Sequence, residues 1–309
     1  MPLLNVEHVL TTEDRLSKEF DTSYEEAVAN AYFEAFVNET PGEGAKERLE
    51  WLLATAGIDK LPGGAMTFES LLTAAHEIVH EDWGRGLIIS RNQFEDSQFG
   101  FATDWTAQMG NRVALHPQDL GVQALKDNIV GYDGVTYFNN AHPLVPGNAG
   151  LGTYSNVRTS SALTLDNFVA ACAQMEAFRT PGGPNRGLKV KCLVVPPALR
   201  KTAIEITGAK FIGATDNVVA SSYGVEVVIA ADLSASSGGS DTTWYVTTEM
   251  PGKKMTKPVI YSRRRDFEMT SYDGVTQAQL ARMNQLEWHF RGRAGVAMGH
   301  PFLAIRCTA

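Results

Sequence analysis

The strongest constraint on this chain is an apolar stripe. Phe101, Trp105, Met109 and Val113 recur four residues apart, and Val122, Leu125 and Ile129 carry a similar stripe on beyond Pro117. Fourfold spacing keeps side chains on one face of a helix, so residues 101–129 predict one long helix with a single side to bury. Pro117 lacks an amide proton and restricts His116 before it, which predicts a bend at that point.

Other elements are expected around this helix. The first twenty residues or so are polar-leaning and carry little periodicity, as in an arm that orders against a neighbouring chain. Ser23 and Glu26 have capping-box spacing, and Tyr24, Val28, Ala31, Ala35 and Phe36 follow at helical spacing until Pro41-Gly42. Residues 45–56 predict a second short helix ending before the Leu61-Pro62-Gly63-Gly64 turn. Trp83-Gly84-Arg85-Gly86 reads as a turn feeding a strand over 87–90. After a glycine-rich connector over 147–152, a helix is predicted over 165–178, starting after Thr164. Strands are predicted over 190–195, 225–230 and 244–248, with a solvated loop over 234–240. Helices followed by interspersed strands give an α+β fold with a mixed sheet.

Composition narrows the function. With 309 residues, 44% of them hydrophobic and 20% charged, the chain has the makeup of an ordinary globular protein. A formal charge of −8 argues against a dedicated nucleic-acid binder, whose phosphate contacts need clustered Lys and Arg. No secretory leader pattern is present, and no apolar run approaches the ~18 residues of a membrane helix. Cys172, Cys192 and Cys307 are scattered and lack metal-ligand spacing, so they read as reduced packing residues.

The sharpest chemical signal is His76-Glu77-Ile78-Val79-His80, an H-E-x-x-H pattern. On a helix its histidines would share one side and hold zinc while the glutamate activates a metal-bound water. Phe68, Leu71, Leu72, Ala75, Ile78 and Val79 offer such a helix an apolar face. Against it, no third ligand follows at metzincin spacing; Gly84 and Gly86 follow instead. Residues 182–187 have the look of a phosphate loop, but Leu188-Lys189 stands where Lys-Ser or Lys-Thr belongs, so a Pro/Gly turn is expected. His116 and His142 each precede a proline and read as hydrogen-bonding turn residues. Asp266 and Glu268 follow Arg263-Arg264-Arg265 and balance most of its charge. No catalytic, cofactor-binding or metal residue is therefore assigned, and the chain does not read as an enzyme.

Three signatures recur in fixed order between Leu87 and Pro143: Arg91-Asn92-Gln93-Phe94-Glu95-Asp96, Tyr132-Asp133-Gly134, and Tyr137-Phe138 leading to Ala141-His142-Pro143. They resemble the Mu-like phage major head subunit family. Collinear weaker matches extend the resemblance: Glu50-Trp51-Leu52-Leu53, Leu151-Gly152-Thr153-Tyr154-Ser155-Asn156, Leu193-Val194-Val195-Pro196-Pro197-Ala198-Leu199, Lys257-Pro258-Val259-Ile260, and Phe290 to Ala297.

The resemblance implies the Hong Kong-97-type phage capsid fold, with an N-arm, an extended loop, a peripheral domain with a long spine helix, and an axial domain at the capsomer centre. Mapped here, residues 1–57 are the N-terminal arm and helices, 58–96 the extended-loop region and 97–180 the first part of the peripheral domain. Residues 181–251 are the axial domain and 252–309 the second peripheral part. The helical pattern over 71–79 conflicts with an extended loop, so either a helix lies there or strand pairing overrides propensity. The family implies a major capsid protein that self-assembles as hexamers and pentamers into an icosahedral shell around double-stranded DNA, without sequence-specific contact. Implied partners are a scaffolding protein or head maturation protease, a portal, and a cement or decoration protein. Implied locations are the virion capsid and, during assembly, the cytoplasm of the host bacterium. Two alternatives remain: a protein nanocompartment shell of the same fold, and a zinc metallopeptidase using His76, Glu77 and His80.

Overall fold

The computed structural model describes residues 6–52, 73–90, 92–93, 99–146, 148–180, 184–208, 211–212, 215–216, 224–250, 256–271 and 285–309. The chain starts with helix α1 (Val6–Asn30), a 3-10 turn (Phe33–Ala35) and strand β1 (Val37–Pro41). Strands β2 (Lys46–Leu52), β3 (Thr73–Val79) and β4 (Glu81–Ser90) precede the spine helix α2 (Phe99–Asp127). Then come β5 (His142–Val145), β6 (Asn148–Tyr154), β7 (Val157–Arg158), α3 (Leu165–Glu176), β8 (Cys192–Val195) and α4 (Arg200–Gly208). Short strands β9 (Phe211–Ile212) and β10 (Thr215–Asp216) lead to β11 (Glu226–Ile229) and β12 (Trp244–Thr247). Two long strands, β13 (Val259–Ser271) and β14 (Gln285–Met298), and finally β15 (Ala304–Cys307) complete the chain.

Two sheets organise these elements. A four-stranded sheet runs β1-β13-β14-β4, and a five-stranded mixed sheet runs β11-β8-β12-β15-β7. The second sheet draws β7 and β15 from outside residues 181–251, so the unit built on it is wider than that stretch. On one of its faces Leu193, Val195, Trp244, Val246, Ile305 and Cys307 meet Phe168, Cys172 and Met175 of α3 and Phe302. On the other, Val194, Val228, Tyr245 and Ala304 meet Val122 and Leu125 of the spine, together with Phe36, Tyr137 and Tyr261. Strand β8 is therefore buried on both faces, as its unbroken apolar sequence requires. Each large side chain buried this way contributes roughly 1.5–3 kcal/mol. Thr164 caps α3, its hydroxyl accepting from the Asn167 amide.

The spine forms as the apolar stripe predicts, but it stays helical through Pro117, so His116 is a mid-helix residue and no turn. Its Nδ1 lies 2.9 Å from the Tyr261 hydroxyl, and its ring stands edge-on to Trp83, Tyr261 and Phe267. The other half of the helix packs on α1. A Cβ on Gly110 would lie 2.6 Å from the Phe20 carbonyl oxygen, so only glycine lets the two helices come this close.

Several expectations give way here. Residues 6–22 are helical, and Leu16 and Phe20 are buried against Ala102, Val113, Trp288 and Phe290; the described part of the opening segment is a packed helix and no loose arm. Ser23 sits inside α1, because S-x-x-E spacing occurs in helix interiors as well as at their starts. Residues 46–52 form a strand where a helix was expected, and they pair with residues 73–79, so of the two readings left open for that stretch strand pairing prevails. Leu49 and Ile78 alternate inward with Glu47 and His76, and they join Ile260 and Ala297 in a small core, so a two-residue period prevails. The 83–86 turn is part of β4. A Cβ on Gly84 would lie 2.8 Å from the Phe290 carbonyl oxygen, which makes that glycine a close-approach residue. The connector over 147–152 belongs to the β5–β6 hairpin. The Leu61 to Gly64 turn lies outside the described residues.

His116 supplies a test of this packing. Burial first, and the nearby Arg263 second, push its pKa down from 6.5 to about 4, so the folded protein holds the ring neutral. The unfolded chain binds the extra proton between those values, so the stability gained from the neutral ring is complete above pH 6.5 and lost as pH falls towards 4. Urea midpoints should drop between pH 7 and pH 5, and the drop should shrink in His116→Gln. An equal drop in both proteins would refute this role.

Candidate assembly surfaces and the polar anchors that set them

The signature residues converge on a buried knot at the end of the spine. Asn128 ends the helix in the left-handed region, with φ of 51°. Its side chain bonds both backbone groups of Phe138, Oδ1 accepting from the amide at 2.6 Å and Nδ2 donating to the carbonyl at 3.2 Å. That contact folds residues 129–138 back on the helix and brings Asp133 to His142. The His142 ring is fully buried; its Nδ1 lies 2.5 Å from Asp133 Oδ2. Its Nε2 lies 2.9 Å from the Tyr137 carbonyl and 3.2 Å from Asn156 Oδ1. Both nitrogens thus face oxygen atoms, so the ring is held from two sides.

The knot also reaches the C-terminal strands. Asn156 Nδ2 donates to the carbonyls of Tyr137 and Pro301 at 2.7 and 2.9 Å. The Tyr137 hydroxyl donates to the His300 carbonyl at 2.8 Å. Burial, with the nearby Arg186 second, pushes His300 down to about 3, and its ring stacks on Phe302 and meets Tyr132 edge-on. Arg186, from the turn that looks like a phosphate loop, sits 4.0 Å above the Phe302 ring.

A second anchor uses the last histidine of the H-E-x-x-H pattern. His80 is buried between the Gly44 carbonyl, 2.9 Å from Nδ1, and the Ser262 hydroxyl, 2.8 Å from Nε2. Ser262 in turn donates to Glu47 at 2.5 Å. Gly42 is required beside it, since a Cβ there would lie 2.6 Å from the His80 ring. His76 sits in β3 and His80 just beyond it, so the four-residue step spans roughly 13 Å of extended chain and the two rings cannot close on one zinc ion. Glu77 pairs with Lys46 at 3.3 Å. The zinc-peptidase geometry is overturned because the segment pairs with β2 as a strand. Among the described residues no group of three or more His, Cys, Asp or Glu is placed to hold a metal ion.

Other expected residues are accounted for. All three cysteines are free and buried, with burial pushing Cys172 and Cys307 up to about 12 and Cys192 up to about 11. Arg263 pairs with Glu39 at 2.7 Å and Asp266 at 3.4 Å, and Arg265 with Glu268. Of the 91–96 signature, Asn92 and Gln93 are described, and Gln93 Oε1 accepts from the Ser90 amide at 3.1 Å. No described helix is long and apolar enough to cross a membrane.

Two of the most exposed apolar side chains lie together on one flank. Ile88 on β4 is 58% exposed and Phe101 at the start of the spine 79%. With Leu87, Ile89 and Trp105 they line a groove of about 500 Å³. Strand β4 is also the edge of its sheet, so its outer backbone groups are open to pairing. Residue pattern alone does not mark this surface, because Phe101 reads as the first residue of the buried stripe.

The Asp133–His142 pair is testable. Asp133→Ala leaves a buried imidazole nitrogen without its partner and should cost about 1–3 kcal/mol. Asp133→Ala with His142→Leu should cost less than the two single changes together, measured by denaturant unfolding. Simple additivity would refute the coupling.

Comparison with known proteins agrees with this architecture. The chain matches the family described as Mu-like prophage major head subunit gpT over residues 12–162, 156–233 and 224–309. It is 31% identical over 107 residues to the major capsid protein of Escherichia phage Mu, a match covering 34% of each chain and thus about a third of that relative's length. Among solved structures it resembles the procapsid of bacteriophage JBD30, with a TM-score of 0.53, 17% identity, and coverage of 99% of this chain and 76% of that one. It also resembles the mature capsid of bacteriophage PhiM1, with a TM-score of 0.55, 12% identity, and coverage of 90% and 86%. At such identities these likenesses establish the shared Hong Kong-97-type capsid fold, and the profile matches, which run collinearly from residue 12 to the last residue, establish that the chain belongs to the Mu-like prophage major head subunit family.

Proposed function

We propose that this chain is a major capsid subunit whose activity is self-assembly into a closed icosahedral shell around phage double-stranded DNA. The observation that carries this, within the family assignment, is the pairing of an exposed apolar groove at Ile88 and Phe101 with an open strand edge at β4. Soluble monomers rarely leave such a combination uncovered. A second copy covers it in the assembled shell. Repetition of one subunit into a closed particle needs several heterologous contacts per chain. Modest contact energies suffice, because a subunit held by many neighbours leaves only when all release.

In this reading the five-stranded sheet with α3 and α4 forms the axial unit at the centre of hexamers and pentamers. The four-stranded sheet with α1 and the spine forms the peripheral unit, and the β2–β3 ladder is the base of the extended loop. A scaffolding protein or maturation protease, a portal and a cement protein are the further partners, and assembly takes place in the host bacterial cytoplasm. The formal charge of −8 suits a container that does not hold its DNA by clustered cationic contacts.

Negative-stain electron microscopy of the purified protein, expressed alone and with the genes beside its own, should show rings, tubes or shells. Ile88→Asp with Phe101→Asp should leave a folded protein by circular dichroism and abolish those assemblies. A stable monomer under every condition for the unaltered chain would refute the proposal. Shells that enclose an enzyme in place of DNA would point to a nanocompartment.

A further inference from the structure

The junction of the spine and the five-stranded sheet holds a pocket of about 220 Å³ that the capsid reading does not use. Tyr245 and Arg306 stand opposite each other in the β12–β15 ladder and so share one sheet face; both line the pocket. Their neighbours Trp244, Val246, Ile305 and Cys307 fill the core behind them. Lys126, in the last turn of the spine, forms a second wall, with its Nζ donating to the Ser237 carbonyl at 3.0 Å. The third wall is the Gly238-Gly239-Ser240 turn. It is bare backbone for a reason: Gly238 has φ of 78°, and a Cβ on Gly239 would collide with the Leu233 carbonyl.

This pocket concentrates positive charge in an acidic chain. Arg306 Nε is buried without a hydrogen-bond partner. The guanidinium lies 5.0 Å from the Phe138 ring. Among the described residues neither Arg306 nor Lys126 has an ion-pair partner within 4.0 Å. A guanidinium and an ammonium that line one pocket without a counter-charge gain from an anionic acceptor placed between them. Hydroxyl groups of Ser240, Thr243, Tyr245 and Thr308 complete the lining.

We propose that this pocket binds a phosphate-sized oxyanion. Its donors are side chains from three directions: Lys126 on the spine, the Ser240 hydroxyl on the turn, whose own amides bond within it, and Arg306 on the sheet face. Donors from three directions suit the four oxygens of a tetrahedral ion better than the two coplanar oxygens of a carboxylate. A bound ion bridges Lys126 on the spine to Arg306 on the sheet, so it ties the two halves of the subunit together.

The test is thermal unfolding of the full chain in rising inorganic phosphate at constant ionic strength. The melting temperature should rise and saturate. Arg306→Gln and Lys126→Gln should each raise the half-saturating concentration at least about tenfold, while Lys201→Gln, at an exposed position on α4, should leave it unchanged. The Lys126 variant keeps the test decisive should Arg306→Gln fail to fold. Acetate should give no saturable rise. A short DNA duplex that reproduces the phosphate effect, with the same loss in both variants, would identify backbone phosphate as the source; a duplex without effect would identify the free ion. No saturable rise, an equal response in Lys126→Gln, or an equal response to acetate would overturn the proposal.

Discussion

Everything in this subunit is hung on a helix that must bury two different stretches of itself. The spine packs α1 along its first half and the sheet core along its second, and both contacts pass through a missing side chain. A Cβ at Gly110 would lie 2.6 Å from the Phe20 carbonyl oxygen, and one at Gly121 would lie 2.6 Å from Val37 Cγ2. The two glycines are eleven residues apart, about three helical turns, so they open the same side of the spine. The chain uses that side twice, laying α1 on it, turning through Phe33–Ala35, and returning β1 to it. Any residue larger than glycine at either place would push one layer off the helix and carry the sheet with it, since β1 pairs in parallel with β13.

Where the layers meet, buried histidines do the joining. His142 links the post-spine segment to Asp133, to Asn156 and, through Asn156, to Pro301. His80 links the end of the β2–β3 ladder to β13 through Ser262. His80 joins segments far apart in sequence directly and His142 reaches one through Asn156, each with both ring nitrogens engaged. A hydrophobic contact would bury the same area without fixing direction, whereas these bonds fix the angle at which each excursion leaves the core. That explains why the collinear signatures around Tyr132, Tyr137 and His142 are compact: they specify one joint.

The sequence was legible where one periodicity had no rival. The spine, α3 with its Thr164 cap, and the buried strands β8, β11 and β12 lie where residue pattern and capping chemistry place them. It misled where two periods fit equally well. Residues four apart share a face on a helix, and they also share a face on a strand, so His76 and His80 satisfied both readings. Only pairing of β3 with β2 decides between them, and that pairing is a nonlocal fact. The same holds for Lys46–Leu52, where good helix formers alternate in and out of a small core. The histidine knot was half visible: the signatures marked the residues, but burial and the partner Asn156 follow from tertiary packing. The groove at Ile88 and Phe101 was hidden because an exposed aromatic at the start of an apolar stripe looks the same as a buried one.

These features divide the subunit's work between parts that must not yield and parts that must. A shell built from one chain repeats its contacts in environments that are not identical, so some segments have to change their angle from one position to the next. If the joints themselves were soft, each change would be absorbed inside the subunit and the contacts would lose their register. With the spine clamped at two glycines and the loops rooted by buried imidazole and hydroxyl contacts, bending is left to the hairpins and to the exposed edge of β4. What the β4 edge offers a neighbour in the proposed shell is main-chain hydrogen bonds and an apolar groove, both tolerant of small shifts in angle. Ion pairs such as Arg263 with Glu39 and Asp266 are largely satisfied within the chain, so they neither demand nor resist a particular neighbour. Specific geometry then comes from the rigid interior, and adaptability comes from surfaces whose energy depends weakly on angle.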